Sequence, residues 1–278
     1  MTHQQTTAHR ERLVETPTGV LQSALLVRPN REIENARSLP GESGAIISRA
    51  REQLDILRSV LEYFGVQTTV VESSAADPYE CCAANAAIAL RDGAFVMRPS
   101  AMSRRGEADR MRVELARLDV PLSGHIAAPG LLDGNDVLLA GTTAFVGNGG
   151  RGNELGRAGF AEVARHYGYR TVEVALAPDV PALRYVATAV APDTIVIGGD
   201  KADSSAFAGF KTIVLERGEE GAAGALCLSE RHVISDMRYR TALSQMERAG
   251  ITVESIDLYE FTKIGVTPAM LALVLKRA

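Results

Sequence analysis

The chain has 278 residues, 46% of them hydrophobic, enough for one large core or two ordinary ones. Its 30 basic and 34 acidic side chains leave a net charge of −4 and form no basic block, which argues against nucleic acid as a partner. No apolar run approaches the ~20 residues of a membrane span, so no membrane contact is expected.

The start, MTHQQTTAHRERLVETPTG, is polar and lacks the apolar stretch of a secretory signal. Residues 1–19 read as a mobile tail, and residues 20–278 as a single domain, since no Pro/Ser/Gly-rich linker divides them. Three cysteines, with Cys81 and Cys82 adjacent, make a poor disulfide framework and suit a reducing, cytoplasmic setting.

SALLVRPN (23–30) reads as a buried strand closed by a Pro-Asn turn. Residues 47–65 form the clearest helix: Leu54, Leu57, Val60, Leu61 and Phe64 recur at three- and four-residue steps, and Gly65 stops them. VQTTVVES follows as a strand. Residues 85–99 are two short apolar runs around Arg91-Asp92-Gly93, a hairpin signal in which Gly supplies positive φ. An amphipathic helix with Met111, Leu115 and Leu118 comes next.

DVLLAGTTAFVGN (136–148) is another hairpin, turning near Gly141, with ELGRAGFAEVARHYG as its helix and YRTVEVAL as its strand. Residues 182–199 read as a fourth strand pair. A fifth hairpin, 224–236, turns at Ser229-Glu230-Arg231 and leads into the helix RTALSQMERAG and the strand ITVESIDL. The hairpin–helix–strand unit thus recurs at spacings of roughly 40 to 50 residues, the mark of a circular or solenoid architecture. Four or five units suggest a closed ring, which removes exposed sheet edges. The alternative, a doubly wound α/β sheet, has single strands per unit where this chain has pairs.

RPSAMSRRGEADRM (98–111), LLDGNDVLLAGTTAFVGNGGRGNELG (131–156) and KIGVTPAMLALVL (263–275) follow one another in order. Together they resemble the dimethylarginine dimethylaminohydrolase branch of the guanidino-group-modifying superfamily, the penteins, over roughly residues 20–278. The middle block is the most specific. The resemblance implies an α/β fold, a five-bladed α/β propeller. It also implies a chemistry in which a cysteine thiolate attacks a guanidinium carbon, a histidine moves protons, carboxylates hold the guanidinium and arginines hold the ligand's carboxylate.

Carried over residue by residue, the resemblance makes Arg98 and Arg151, with Asn153, a carboxylate clamp, and Asp133 the acid that orients the histidine, with Asp136 beside it. The rest departs. Lys263 opens the spacer before the nucleophile, and its eighth position is Met270, whose thioether supplies no thiolate. The histidine position reads Ala182, and the two guanidinium-binding acids read Ala84 and Asn85. Asn135 stands where the family usually has a glycine.

Other side chains compete for a role. Cys81 and Cys82 are either buried small hydrophobes or a relocated thiol, with Cys82 the candidate. Asp77, Tyr79 and Glu80 are either solvated loop residues or substitutes for the missing acids, Glu80 as an acid–base group and Asp77 as a ligand contact. His125, His166 and His232 read as structural or surface residues, and Cys227 as core. GNGGRGN lacks the Lys-Ser/Thr of a P-loop, and no CxxC, HExxH or paired-His spacing occurs, so neither a metal nor a cofactor is expected.

The expectation is a divergent pentein that binds an amino-acid-like molecule, of guanidino or arginine-derived type, and performs altered, non-thiolate chemistry or serves in a biosynthetic pathway. The alternative is a non-catalytic binding or regulatory protein. Citrulline-forming hydrolysis is the third reading. A homodimer is a family-level expectation only.

Overall fold

The computed structural model describes residues 12–73 and 77–278. In chain order, β1 (Leu21–Arg28), α1 (Ile47–Tyr63) and β2 (Gln67–Glu72) come first. In α1 the buried residues Ala50, Leu54, Leu57 and Leu61 line one face, and Gly65, at φ +79°, releases the chain from it. Each Leu buried to this extent contributes roughly 1.5–3 kcal/mol.

Three hairpin units then repeat, two with a long helix. β3 (Ala87–Ala89) and β4 (Ala94–Val96) are followed by α2 (Gly106–Arg117) and β5 (Leu122–His125). β6 (Val137–Ala140) and β7 (Thr143–Asn148) are followed by α3 (Glu154–His166) and β8 (Arg170–Ala175). The short helix α4 (Leu183–Val186) leads into β9 (Ala187–Ala191) and β10 (Thr194–Gly198). Here a single 3-10 turn, Ser204–Phe207, replaces the long helix before β11 (Lys211–Leu215).

The fourth hairpin unit is β12 (Leu226–Ser229), β13 (His232–Asp236), α5 (Arg240–Arg248) and β14 (Thr252–Ile256). Two short helices, α6 (Tyr259–Thr262) and α7 (Pro268–Leu271), precede β15 (Ala272–Arg277). β15 pairs antiparallel with β1, which runs parallel to β2. The opening strand–helix–strand is therefore a complete unit whose first strand comes from the other end of the chain.

Five three-stranded sheets result, each with an antiparallel inner pair and a parallel outer strand. The first strands of the hairpins face the centre and touch one another around a ring: β15 on β3, β6 on β9, β9 on β12. β3, β4, β9 and β10 are buried at every position, whereas the outer strands β2, β5, β8, β11 and β14 alternate or lie open. That gradient explains the sequence pattern: inner strands are covered on both faces and read as continuous apolar runs.

Each inner strand is preceded by a short helical turn near the axis: residues 83–85, 134–136, α4, 220–224 and α7. Neighbouring turns touch, so these five turns form a second ring at one end of the inner strands.

Two local expectations need correction. Gly141 does turn at φ +50°, but Gly93 has no positive φ. Gly93 is required because a Cβ there would lie 2.8 Å from the Pro121 carbonyl oxygen. Of the tail expected at 1–19, residues 1–11 lie outside the described residues. Residues 13–19 are fastened rather than loose: the Leu13 and Glu15 amides donate to the Arg91 and Arg277 carbonyls, and Val14 and Thr18 are buried. The apolar Val14 explains the docking, because it gains burial that a polar tail would not.

Candidate functional site

A cleft of about 830 Å³ opens over the ring of turns. Its walls are the loops that enter the turns, and its charged lining is balanced: Arg37, Arg104 and Arg151 against Asp77, Asp133 and Asp179. Cys82 and Met270 line it as well. Both belong, with Ala182 and Cys81, to one buried apolar cluster, so the floor beneath the charged walls is apolar.

The acids are held from below. Asp77 accepts from the Tyr79 amide at 2.9 Å and from the Ser103 hydroxyl at 2.6 Å, an Asx turn that fixes the loop. Asp133 accepts from the Ser100 amide at 2.8 Å and is only 3% exposed. Arg104 forms a two-pronged pair with Glu107, at 2.6 and 2.8 Å, and lies 3.8 Å from Asp77. Burial pushes the Glu107 carboxyl up to about 7, against the pull of Arg104. Burial opposes the Arg104 charge too, but Glu107 outweighs it and keeps the guanidinium above its ordinary range. The Tyr79 hydroxyl bridges the Arg37 amide and carbonyl, tying two walls together.

Of the residues singled out from the sequence, the fold brings Asp77, Tyr79, Cys82, Asp133, Arg151 and Met270 to this cleft. The remaining ones sit elsewhere. The Arg98 guanidinium donates to the Gly130 carbonyl at 3.1 Å and is not part of the lining. Asn153 is the N-cap of α3: its Oδ1 accepts from the Gly156 and Leu131 amides, both at 2.9 Å, and its Nδ2 donates to the Pro129 carbonyl. Its side chain is engaged in these bonds, so of the three clamp residues expected from the sequence Arg151 is the one that lines the cleft.

Asp136 points away as well. It is 1% exposed and its Oδ1 accepts from the Leu183 amide at 3.0 Å, stapling one axial turn to the next. Burial pushes its carboxyl up to about 7, and the Asp133 charge adds to that. Glu80 pairs with Arg110 at 2.6 Å and faces a separate groove of about 670 Å³ between β2 and α2. Ala84, Asn85 and Ala182 lie fully buried in the axial turns or beside them. The side-chain carboxamide of Asn85 has no hydrogen-bond partner among the described residues. The Cys81 thiol is pushed well up by its bond with Cys82 and by burial, so it stays protonated.

Sequence reasoning missed Arg37, Arg104 and Asp179. Arg104 had a readable signal, the three-residue spacing to Glu107, but only the fold turns that pair toward a cleft. His125 and His166 are exposed, and His232 Nε2 lies 2.8 Å from Glu254 on neighbouring strands. Among the described residues no group of three or more His, Cys, Asp or Glu side chains could hold a metal ion, and no helix is long and apolar enough to cross a membrane.

Five three-stranded blades around an axial cleft are the architecture of a pentein. No family model matches the chain. Its sequence is 35% identical over 149 residues to an N(G),N(G)-dimethylarginine dimethylaminohydrolase of Streptomyces coelicolor, covering 54% of this chain and 57% of that one. It is 26% identical over 171 residues to the enzyme of that name from Pseudomonas aeruginosa, covering 62% and 66%. The matched part of the chain thus spans less than two thirds of either curated relative. A solved structure of the Pseudomonas aeruginosa protein, a mutant complexed with citrulline, superposes with a TM-score of 0.83 over 91% of this chain and 99% of the other, at 21% identity. The chain is thus similar in sequence to dimethylarginine dimethylaminohydrolases and shares the fold of a solved one.

Proposed function

We propose that this pentein binds an amino-acid-like molecule of the guanidino type in the axial cleft, and that it does not form citrulline through position 270. One observation carries this reading: charges of both signs, Arg37 and Arg151 against Asp77, Asp133 and Asp179, stand around an apolar floor that includes Met270. A zwitterion with a cationic side chain needs both signs, and a cleft of this volume is in the range of small-molecule sites. Arg151 serves the ligand's carboxylate, since Arg104 is already committed to Glu107. Asp77 and Asp133 face the cationic end. The similar protein solved with citrulline supports the ligand class.

The floor argues against the hydrolytic step. A thioether at position 270 and a methyl at 182 offer neither a thiolate nor a proton carrier. A second reading, altered chemistry, rests on Cys82, which lines the same cleft as Arg104. A thermal-shift screen of arginine, methylated arginines and citrulline tests the binding claim. Arg151→Ala is expected to abolish every ligand-induced shift; shifts that persist in this variant reject the proposed orientation. Product analysis by mass spectrometry on a stabilising ligand, with Cys82→Ser as control, separates binder from enzyme.

A further inference from the structure

On the far side of the ring of turns, the inner strands line an axial cavity of about 90 Å³, room for several waters. Its wall is mostly apolar, but two arginines line it: Arg184, which follows Ala182 on α4, and Arg277 at the end of β15. No Asp or Glu among the described residues lines it. Arg277 donates to two carbonyls, Gly19 at 2.7 Å and Cys227 at 2.5 Å, so its charge meets dipoles only. Arg184 is partly buried, and among the described residues its guanidinium makes no hydrogen bond or ion pair.

Two like charges lining one largely apolar cavity are costly unless a counter-charge joins them. Burial and the Arg277 charge pull Arg184 down to about 10, which still leaves it charged at neutral pH. The one other titratable group in the wall, the Cys227 thiol, is pushed up by burial and donates to the Ser229 carbonyl at 3.1 Å. It stays protonated and does not neutralise the pair. Five guanidinium N–H groups on Arg184, and those of Arg277 not spent on carbonyls, remain for a ligand.

We propose that this axial cavity is a site for a small, weakly hydrated monovalent anion, held by the guanidinium groups of Arg184 and Arg277. The apolar wall sets the class. A strongly hydrated anion gives up water that Ala89, Val137 and Leu226 cannot replace, whereas a chloride-like ion gives up less. The site is separate from the ligand cleft, and its occupant would tie α4 of one blade to the last strand of another.

The test uses chloride on the whole chain in melting experiments at constant ionic strength, with fluoride as the strongly hydrated partner. Wild type should gain about 2–4 °C, saturably, in chloride. Arg184→Met should lose that gain and, in chloride-free buffer, melt above wild type because an uncompensated charge is gone. Arg184→Lys should keep a weakened response. Crystals grown in bromide should show an anomalous peak in the cavity, a readout that stands even if Arg184→Met fails to fold. An equal chloride response in wild type and Arg184→Met, or a bromide map with no peak there, overturns the proposal.

Discussion

Replacing Asp136 by Asn separates a buried staple from a catalytic acid. The Asn side chain has the same shape and keeps an oxygen for the Leu183 amide, from which the Asp136 carboxylate accepts at 3.0 Å. What it removes is the ionisable group. Burial raises the folded-state carboxyl from 3.8 to about 7, so the folded protein holds a proton that the unfolded chain has released. Stability from this group is fully present below the unfolded value and is lost as pH rises toward about 7. A tenfold change in proton affinity is worth about 1.4 kcal/mol, so the rise from 3.8 to about 7 sets an upper bound of about 4 kcal/mol at pH 8. Asp136→Asn is therefore expected to melt several degrees above wild type at pH 8, to converge with it near pH 4, and to leave ligand-induced shifts unchanged. Melting curves from pH 4 to 8 read this directly. A parallel pH dependence in the two proteins refutes the burial argument, and loss of ligand response in the variant puts Asp136 back in the site.

Three further outcomes follow from the same geometry. Lys263 pairs with Glu260 at 2.7 Å with both side chains 1% exposed, and its carbonyl anchors Leu39 at the cleft wall; Lys263→Met should cost about 3–5 kcal/mol in urea unfolding, by stranding a buried carboxylate. Asn153→Ala should cost about 0.5–2 kcal/mol as a lost N-cap while leaving ligand affinity intact in calorimetry. Gly134→Ala places a Cβ 2.2 Å from the Ala84 carbonyl oxygen, so circular dichroism should show a lower melting temperature from displaced axial turns.

The blade pattern was legible because inner strands are covered on both sides and their hairpins carry turn residues such as Gly141. The blade of β9, β10 and β11 was only half legible: its long helix is replaced by the turn Ser204–Phe207, and β11 is largely exposed, so neither periodicity was present to read. The pairing of β15 with β1 joins the two ends of the chain, and no local signal announces it.

At the site, the sequence located the right loops but could not tell which way their side chains turn. Asp133 and Asp136 are three residues apart, yet a single 3-10 turn sends one to the cleft and the other to α4. Arg98 and Arg151 looked equivalent, while only Arg151 reaches the cleft. Asn153 carried a readable second meaning, since an Asn directly before Glu154 and a helical run is an N-cap signal.

Isothermal titration of L-arginine into wild type and Arg151→Ala, with the cell contents then analysed for ureido products, tests the central claim most directly. The expected results are saturable binding at one site per chain in wild type, no binding heat in Arg151→Ala, and arginine recovered unchanged. Citrulline in the wild-type cell, or equal binding by both proteins, would contradict the proposed function.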